Sequence, residues 1–296
     1  MIWGMVGNSH DASIAIYGQD KNFIKMYNSK DVRHSDKMIK DALSHGHPTK
    51  IVWYEKPFSK SIRQLYAGQK NPFKRNNVKK YLKEYGLNVP LVYVGHHHSH
   101  AAHYFNSGFD HAVILVIDSI GEWDTTTIWE AYENKLRKKY SVKYPHSLGL
   151  FYSSMTKRIG LVPQKDEGEL EKRSKYIEEF FVTKGTIEAD LIKQHPWKPL
   201  FTRNLHRGIG EWRSEFYDDH IAAATQSVFE DQVLKVSQFA LNKLKSRNLV
   251  VAGGCAFNRG IRPLLKEEWE NVYFPDNPGD GGSAETCVLA YLNGEN

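Results

Sequence analysis

One order of elements is written twice along the 296 residues of this chain. Duplication of a whole unit constrains a fold more than any single motif. The first copy opens with three short β-like runs, IWGMVG (Ile2 to Gly7), ASIAIY (Ala12 to Tyr17) and NFIKMY (Asn22 to Tyr27), parted by turn residues at Asn8-Ser9 and Gly18-Gln19-Asp20. A helix at about Asp36 to Ser44, a strand IVWY (Ile51 to Tyr54), further helical stretches and a strand LVYV (Leu91 to Val94) follow, then a helix from near His97. From residue 111 the order restarts with AVILVID (Ala112 to Asp118), TTTIWEAY (Thr125 to Tyr132) and a third strand around Lys139 to Val142. A helix at about Ser147 to Ile159, a long amphipathic helix at roughly Asp218 to Lys245, the strand LVVAG, a helix, the strand NVYF and a closing helix at about Ala284 to Leu292 complete it.

This duplication predicts an α/β protein of two ribonuclease-H-like lobes, 1–108 and 109–296, around a central cleft. Residues 162–213 fit neither copy and read as an insertion in the second lobe, too short for a core of their own. In both copies the first strand runs into a polar, Asp-bearing turn, NSHDAS at 8–13 and DSIGEWDT at 118–125. Facing each other across a cleft, Asp11 and Asp118 would surround a phosphate or its metal; taken singly, each is also an ordinary turn former. A composition of 41% hydrophobic and 25% charged residues excludes a disordered or fibrous chain. No run approaches the roughly 20 apolar residues of a bilayer span, so no membrane partner is expected. The opening MIWGMVGNSHDAS lacks signal-peptide character, and two cysteines cannot make a disulfide framework, which points to a cytoplasmic protein. The net charge of +6 permits an anionic partner.

Three strings carry chemistry. HHHSHAAH follows the strand ending at Val94, and His96 and His100, at i and i+4, share a helix face suited to one metal ion. Imidazole suits zinc, iron and nickel, so the spacing leaves the metal open. LVVAGGCAFNRGIR sends a hydrophobic strand into Gly253 and Gly254, where backbone amides can approach a nucleotide. NPGDGGSAET places Asp280 in a glycine-rich turn before the last helix, able to hold phosphate or metal. Each glycine string on its own is also compatible with a plain turn.

HHHSHAA, IDSIGEWDTTTIW, PHSLGLFYSSMT, AGGCAFN and PGDGGSA, in this order, resemble the O-carbamoyltransferase family of nodulation and antibiotic-tailoring enzymes, as does the opening GNSHDASIAI. The resemblance spans residues 1–160 and 217–292, and extends distantly to the tRNA threonylcarbamoyl transferases, which share the histidine pair. It implies an actin/hexokinase-like fold and transfer of a carbamoyl group from carbamoyl phosphate, by way of an ATP-derived carbamoyl-adenylate, to an acceptor hydroxyl. It further implies His96, His100, Asp118 and Asp280 as metal ligands, with iron as the metal. Gly253, Gly254, Asn258 and the turn Gly279, Gly281, Gly282 and Ser283 would hold adenosine and phosphate, with Glu230 beside the ribose or adenine. His10 and Asp11 would lie beside the acceptor hydroxyl, His10 as base. Arg33 and His34 replace a Lys-His pair that faces the carbamoyl group. Two features depart from the family. DEGELEKRSKYIEEF puts Glu171 where a lysine is usual, and the activating domain that the family carries after PGDGGSA is expected to be absent. Either a separate protein therefore supplies carbamoyl-adenylate, or the two lobes use carbamoyl phosphate themselves.

The acceptor has to be sought outside the family motifs. Lys56 to Gly86 holds nine Lys/Arg against one acidic residue, with Phe58, Tyr66, Phe73, Tyr81 and Tyr85 interleaved. The insertion adds Lys193, Trp197, Lys198, Phe201, Arg203, His206, Arg207, Trp212 and Arg213. Basic residues mixed with aromatics suit nucleic acid with stacked or flipped bases, and equally two solvated helices. A compact Lys/Asn/Tyr-rich chain of this kind fits a viral enzyme acting on the hydroxymethyl group of 5-hydroxymethylcytosine in DNA. The alternatives are a free nucleotide, a sugar or small metabolite, a tRNA, or a non-enzymatic nucleotide-binding protein that would tolerate loss of His96 and His100.

Overall fold

The computed structural model describes residues 1–8, 11–175, 188, 191 and 204–294. In the first half β1 (Ile2–Val6), β2 (Ser13–Tyr17) and β3 (Phe23–Asn28) form the meander, and α1 (Asp36–Leu43) leads to β4 (Lys50–Trp53). Then α2 (Pro57–Tyr66), α3 (Pro72–Arg75) and α4 (Val78–Glu84) lead to β5 (Leu91–Tyr93) and α5 (His96–Ala101). In the second half β6 (His111–Ile117), β7 (Asp124–Tyr132) and β8 (Lys135–Lys143) repeat the meander. They are followed by α6 (Leu148–Arg158), α7 (Glu167–Arg173), α8 (Asp218–Lys243), β9 (Asn248–Ala252), α9 (Ile261–Glu268), β10 (Asn271–Tyr273) and α10 (Ser283–Leu292).

The two sheets run β3-β2-β1-β4-β5 and β10-β9-β6-β7-β8. Counted from its own first strand, each has the order third, second, first, fourth, fifth. In each, the first strand pairs antiparallel with the second and parallel with the fourth, for example Gly4 with Ala15 and Val52, and Leu115 with Ile128 and Val251. The repeat read from the sequence is thus a repeat of topology. One strand is longer than expected: β8 begins at Lys135, because Glu133 and Asn134 both take positive φ (49° and 61°) and close a two-residue hairpin. Glu-Asn is a weaker hairpin signal than Asn-Gly, so the first half of β8 was masked in the sequence.

Period-2 alternation on β6 builds the interior. Ala112, Ile114 and Val116 face one core; Val113, Leu115 and Ile117 face the other. The second core lies between this sheet and α6, α8 and α9, through Phe151, Phe229 and Ile261. The first takes in both faces of the first sheet, with Ile14, Ala15 and Ile16 consecutive on β2, and extends from Met38 of α1 and Tyr81 of α4 through Trp3, Met5 and Trp53 to Ala101 of α5. The cores do not follow chain order: α10 comes last in the second half, yet Ala284, Cys287 and Val288 belong to the first core, against β1. Gly4 makes this approach possible, since a Cβ there would lie 1.8 Å from the Ala284 carbonyl oxygen. The described part of the 162–213 segment contributes Leu170, Leu191, Leu205 and Ile209 to the second core. Lys193, Trp197, Lys198, Phe201 and Arg203, named above for their basic and aromatic character, lie outside the described residues.

Candidate active site

A cavity of about 590 Å³ opens between the lobes, and both Asp-bearing turns line it. The first turn is tied down by its backbone: Asn8 N donates to the Val32 carbonyl (3.0 Å) and Ala12 N to that of Asp31 (2.8 Å). Asp11, in the left-handed region (φ 61°), pairs there with Lys30 at 2.9 Å. His10, the expected base, lies outside the described residues. The second turn lies at the end of β6, where Asp118 Oδ1 accepts from Ser119 N (2.7 Å) and Oδ2 faces the histidines.

The floor of the cavity gathers His96, His100, Asp118 and Asp280, with one ligand atom from each within 4.8 Å of the others. His96 Nε2 is 2.7 Å from Asp118 Oδ2 and 3.5 Å from Asp280 Oδ1, and His100 Nε2 is 3.5 Å and 3.3 Å from the same two atoms. The two Nε2 atoms are 3.2 Å apart. Burial alone would push His96 down, but Asp280, Asp118 and Glu122 outweigh it and raise its pKa to about 10; His100 is likewise raised by Asp118 and Asp280 against burial. Burial would raise Asp118, yet hydrogen bonds from the two imidazoles hold it well below the usual carboxylate range. Two carboxylates that stabilise protons on two converging imidazoles would stabilise a divalent cation in their place. The chemistry of the donor set, two imidazole nitrogens and two carboxylates in a buried pocket, therefore fits a transition metal. Ser283 Oγ, 3.3 Å from His100 Nδ1, fixes that ring from behind.

The remaining histidines of the run do other work. His97 Nδ1 meets Thr127 Oγ1 at 2.9 Å, His98 stacks on Trp129 with ring centroids 5.2 Å apart, and His103 is buried.

The glycine strings form the opposite wall. Gly253 N donates to the Pro278 carbonyl at 2.8 Å, joining the two turns. Its φ of 89° and the 2.3 Å from a Cβ to the Ile117 carbonyl oxygen leave room for glycine alone. Gly254, Asn258, Gly279 and Asp280 line the cavity, while Gly281, Gly282 and Ser283 are buried behind them. Glu230 accepts from Gln226 Nε2 (2.7 Å), whose amide in turn exchanges hydrogen bonds with Asn258 (3.0 Å each). Glu171 is buried and accepts from Arg259 N through both oxygens (3.2 Å). Its carboxylate thus anchors the chain just past Asn258.

Arg33 and His34, expected beside the carbamoyl group, are not among the residues that line the cavity. Arg33 is exposed, pairs with Glu84 and lies 4.7 Å from the Tyr81 ring centroid. His34 is buried, its Nδ1 accepting from Tyr81 Oη (2.6 Å) and its Nε2 donating to the Ser13 carbonyl (3.1 Å). With both nitrogens engaged, it has nothing left for a substrate. The cations that do line the first-lobe wall are Lys30, Lys60 and Arg63. Lys60 and Arg63, one turn apart on α2, are both buried. Lys60 Nζ lies 2.7 Å from Glu55, and Arg63 Nε donates to the Glu122 carbonyl at 3.1 Å. Their i, i+3 spacing was visible in the sequence, but their inward direction is set by the fold.

The family described as carbamoyltransferase N-terminus matches residues 11–192 and 197–288. The chain belongs to the carbamoyltransferase family. Among curated proteins it is 28% identical to the uncharacterized protein sll1178 of Synechocystis sp., over 83% of this chain and 48% of that protein. It is also 28% identical to the uncharacterized protein MJ1051 of Methanocaldococcus jannaschii, over 98% of this chain and 57% of that protein. The chain spans about half the length of the curated relatives it matches. Solved structures resemble it in fold. One is the activator of 2-hydroxyisocaproyl-CoA dehydratase from Clostridium difficile with bound ADPNP, with TM-score 0.54, 14% identity, and coverage of 99% of this chain and 94% of that one. Another is T. kodakarensis HypF, with TM-score 0.51, 12% identity, and coverage of 98% and 47%. The architecture is therefore the actin/hexokinase-like fold. In this member of the family the histidine pair, Asp118 and Asp280 converge at the cleft floor between the duplicated lobes. Among the described residues, no helix is long and apolar enough to cross a membrane.

Proposed function

We propose that this chain carries the transfer step of an O-carbamoyltransferase, moving a carbamoyl group onto an acceptor hydroxyl inside the interlobe cavity. The observation that supports it best is the convergence of His96, His100, Asp118 and Asp280 between a glycine-turn wall and a cationic wall. In the transfer, the acceptor oxygen bonds to the carbamoyl carbon and the bond from that carbon to its phosphate or adenylate oxygen breaks. The acceptor proton passes to a base, and the leaving group departs as phosphate or AMP. His10, the sequence neighbour of Asp11, is the proposed base. His96, His100, Asp118 and Asp280 would hold iron, which when bound would supply Lewis-acid stabilisation of phosphate charge. Gly254, Asn258 and Gly279 line the end suited to an adenine nucleotide, with Gln226 and Glu230 behind Asn258. Lys30, Lys60 and Arg63 line the end suited to the carbamoyl donor and acceptor.

The proposed acceptor is the hydroxymethyl group of 5-hydroxymethylcytosine in DNA, a primary alcohol on a base, and carbamoyl phosphate with ATP the donor system. A separate protein that forms carbamoyl-adenylate is the proposed partner if this chain alone does not turn over. The deciding measurement is mass spectrometry of hydroxymethylcytosine DNA, the free nucleotide and a sugar, each incubated with protein, carbamoyl phosphate and ATP. The expected product is DNA in which one H is exchanged for CONH2. Product on the nucleotide or sugar alone would overturn the DNA acceptor, and product on none, even with carbamoyl-adenylate supplied, would overturn the transfer reading. For the metal, elemental analysis should find it bound to the wild type, absent from His100→Ala, and retained in His98→Ala, whose ring packs on Trp129.

A further inference from the structure

The nine cations between residues 56 and 86 divide by direction. Lys60 and Arg63 turn into the cavity, whereas the other seven are exposed. The one acidic residue in the stretch, Glu84, is engaged by Arg33, so the outer field is uniformly positive. On α2, Phe58, Ile62, Leu65 and Tyr66 fall at i, i+4, i+7 and i+8, one face, and are 70, 40, 58 and 70% exposed. Phe73 on α3 (49% exposed) packs against Phe58 with ring centroids 5.9 Å apart. At the other end the Tyr66 ring is tilted against Trp123 (5.6 Å) and edge-on to Tyr144 (6.4 Å). There Gln64 and Gln69 reach the cavity wall. Phe58 and Tyr66 are therefore two aromatic stations about 12 Å apart along the helix, the second at the cavity mouth.

We propose that the outer face of α2 and α3 is a binding track for single-stranded nucleic acid, leading into the acceptor end of the cavity. It rests on the DNA-acceptor reading above and adds the surface and the strandedness. Exposed rings stack on unpaired bases, which a duplex keeps covered, while Lys70, Lys74 and Arg75 around Phe73 meet phosphates. A base delivered to a buried cavity must leave its stack in any case. A second copy is a poorer occupant, because a two-fold contact through this face would set its exposed cations against their own images.

The test is fluorescence anisotropy of the full chain with a labelled, unmodified oligonucleotide, single-stranded and then annealed to its complement. Tighter binding of the single strand is expected, weakening steeply with salt. Phe58→Ala/Phe73→Ala should weaken it at least fivefold, a loss in the range that one or two stacked bases supply. Lys74→Glu/Arg75→Glu should weaken it and flatten the salt dependence. Circular dichroism checks that each variant is folded. Equal binding of the folded aromatic variant, absence of wild-type binding at low salt, or a change of oligomeric state in place of a change in affinity would each overturn the track. The oligonucleotide carries no acceptor hydroxyl, so the two readings fail separately. Binding without carbamoylation of a hydroxymethylated strand sinks the acceptor, and carbamoylation that both double variants leave unchanged sinks the track.

Discussion

His34 is only 3% exposed, and its neutral ring is held by Tyr81 and Ser13. Burial, with a smaller contribution from Arg33, lowers its pKa from 6.5 to about 4. The unfolded chain takes up this proton near pH 6.5 while the folded chain refuses it until about 4. The stabilisation is therefore complete above pH 6.5 and is lost as pH falls toward 4, a swing on the order of 3 kcal/mol. His34→Gln removes the titration, so urea denaturation between pH 7 and 4.5 should show a shallower fall in stability than for the wild type; identical slopes would assign the loss elsewhere. The same residue marks where sequence reading stopped. His96 and His100 were legible because helical periodicity alone puts them on one face. The direction of His34 depends on Tyr81 of α4, 47 residues away in sequence, whose hydroxyl meets both its backbone N–H and its ring. Lys60 and Arg63 were hidden in the opposite sense: they read as part of a charge run, and only tertiary burial separates them from the exposed lysines.

At the level of elements, α2 and α5 share an unusual support. Neither has a side-chain cap of its own, Lys56 and Gly95 standing at their N-cap positions. Glu122, from the β6–β7 turn, fills both roles: Oε1 accepts from Lys56 N (2.7 Å) and from His96 N (3.0 Å). One carboxylate from the second lobe thus sets the start of the metal-histidine helix and of the helix bearing Lys60 and Arg63, where helix dipoles favour negative charge. Glu122→Ala leaves two helix N–H groups without this partner and should cost about 2 kcal/mol, read as a drop in urea midpoint at unchanged slope. A change under about 0.5 kcal/mol, the size of an ordinary surface substitution, would mean that water replaces the cap. The strands and their duplicated order were readable from alternation and turn residues. This cap was not, since Glu122 sits in a polar turn with no local pattern that names its acceptors.

The whole molecule is tied together by its last helix. Chain order alone divides the protein near residue 108, and the two sheets do divide there. The cores do not, because α10 leaves the second half and packs on β1, with Ala284, Cys287 and Val288 fully buried in the first core. The turn that begins this helix carries Asp280 to the cleft floor, so lobe packing and cluster geometry share one segment. Coupled unfolding of the two sheets follows from that sharing, since Ala112, Ile114 and Val116 of β6 lie with Trp3 and Met5 of β1 in the one core that α10 completes. Hydrogen exchange in rising urea should show amides of β1 and β6 losing protection together. Gly4→Ala supplies the perturbation: its Cβ would meet the Ala284 carbonyl oxygen at 1.8 Å, a backbone contact that no rotamer change relieves. The expected loss exceeds the roughly 1 kcal/mol of an average substitution, and β6, which Gly4 does not touch, should lose protection in step with β1. If only β1 opened early while β6 stayed protected, the lobes would be independent folding units, and the closing helix would be a contact between them instead of a shared part of both.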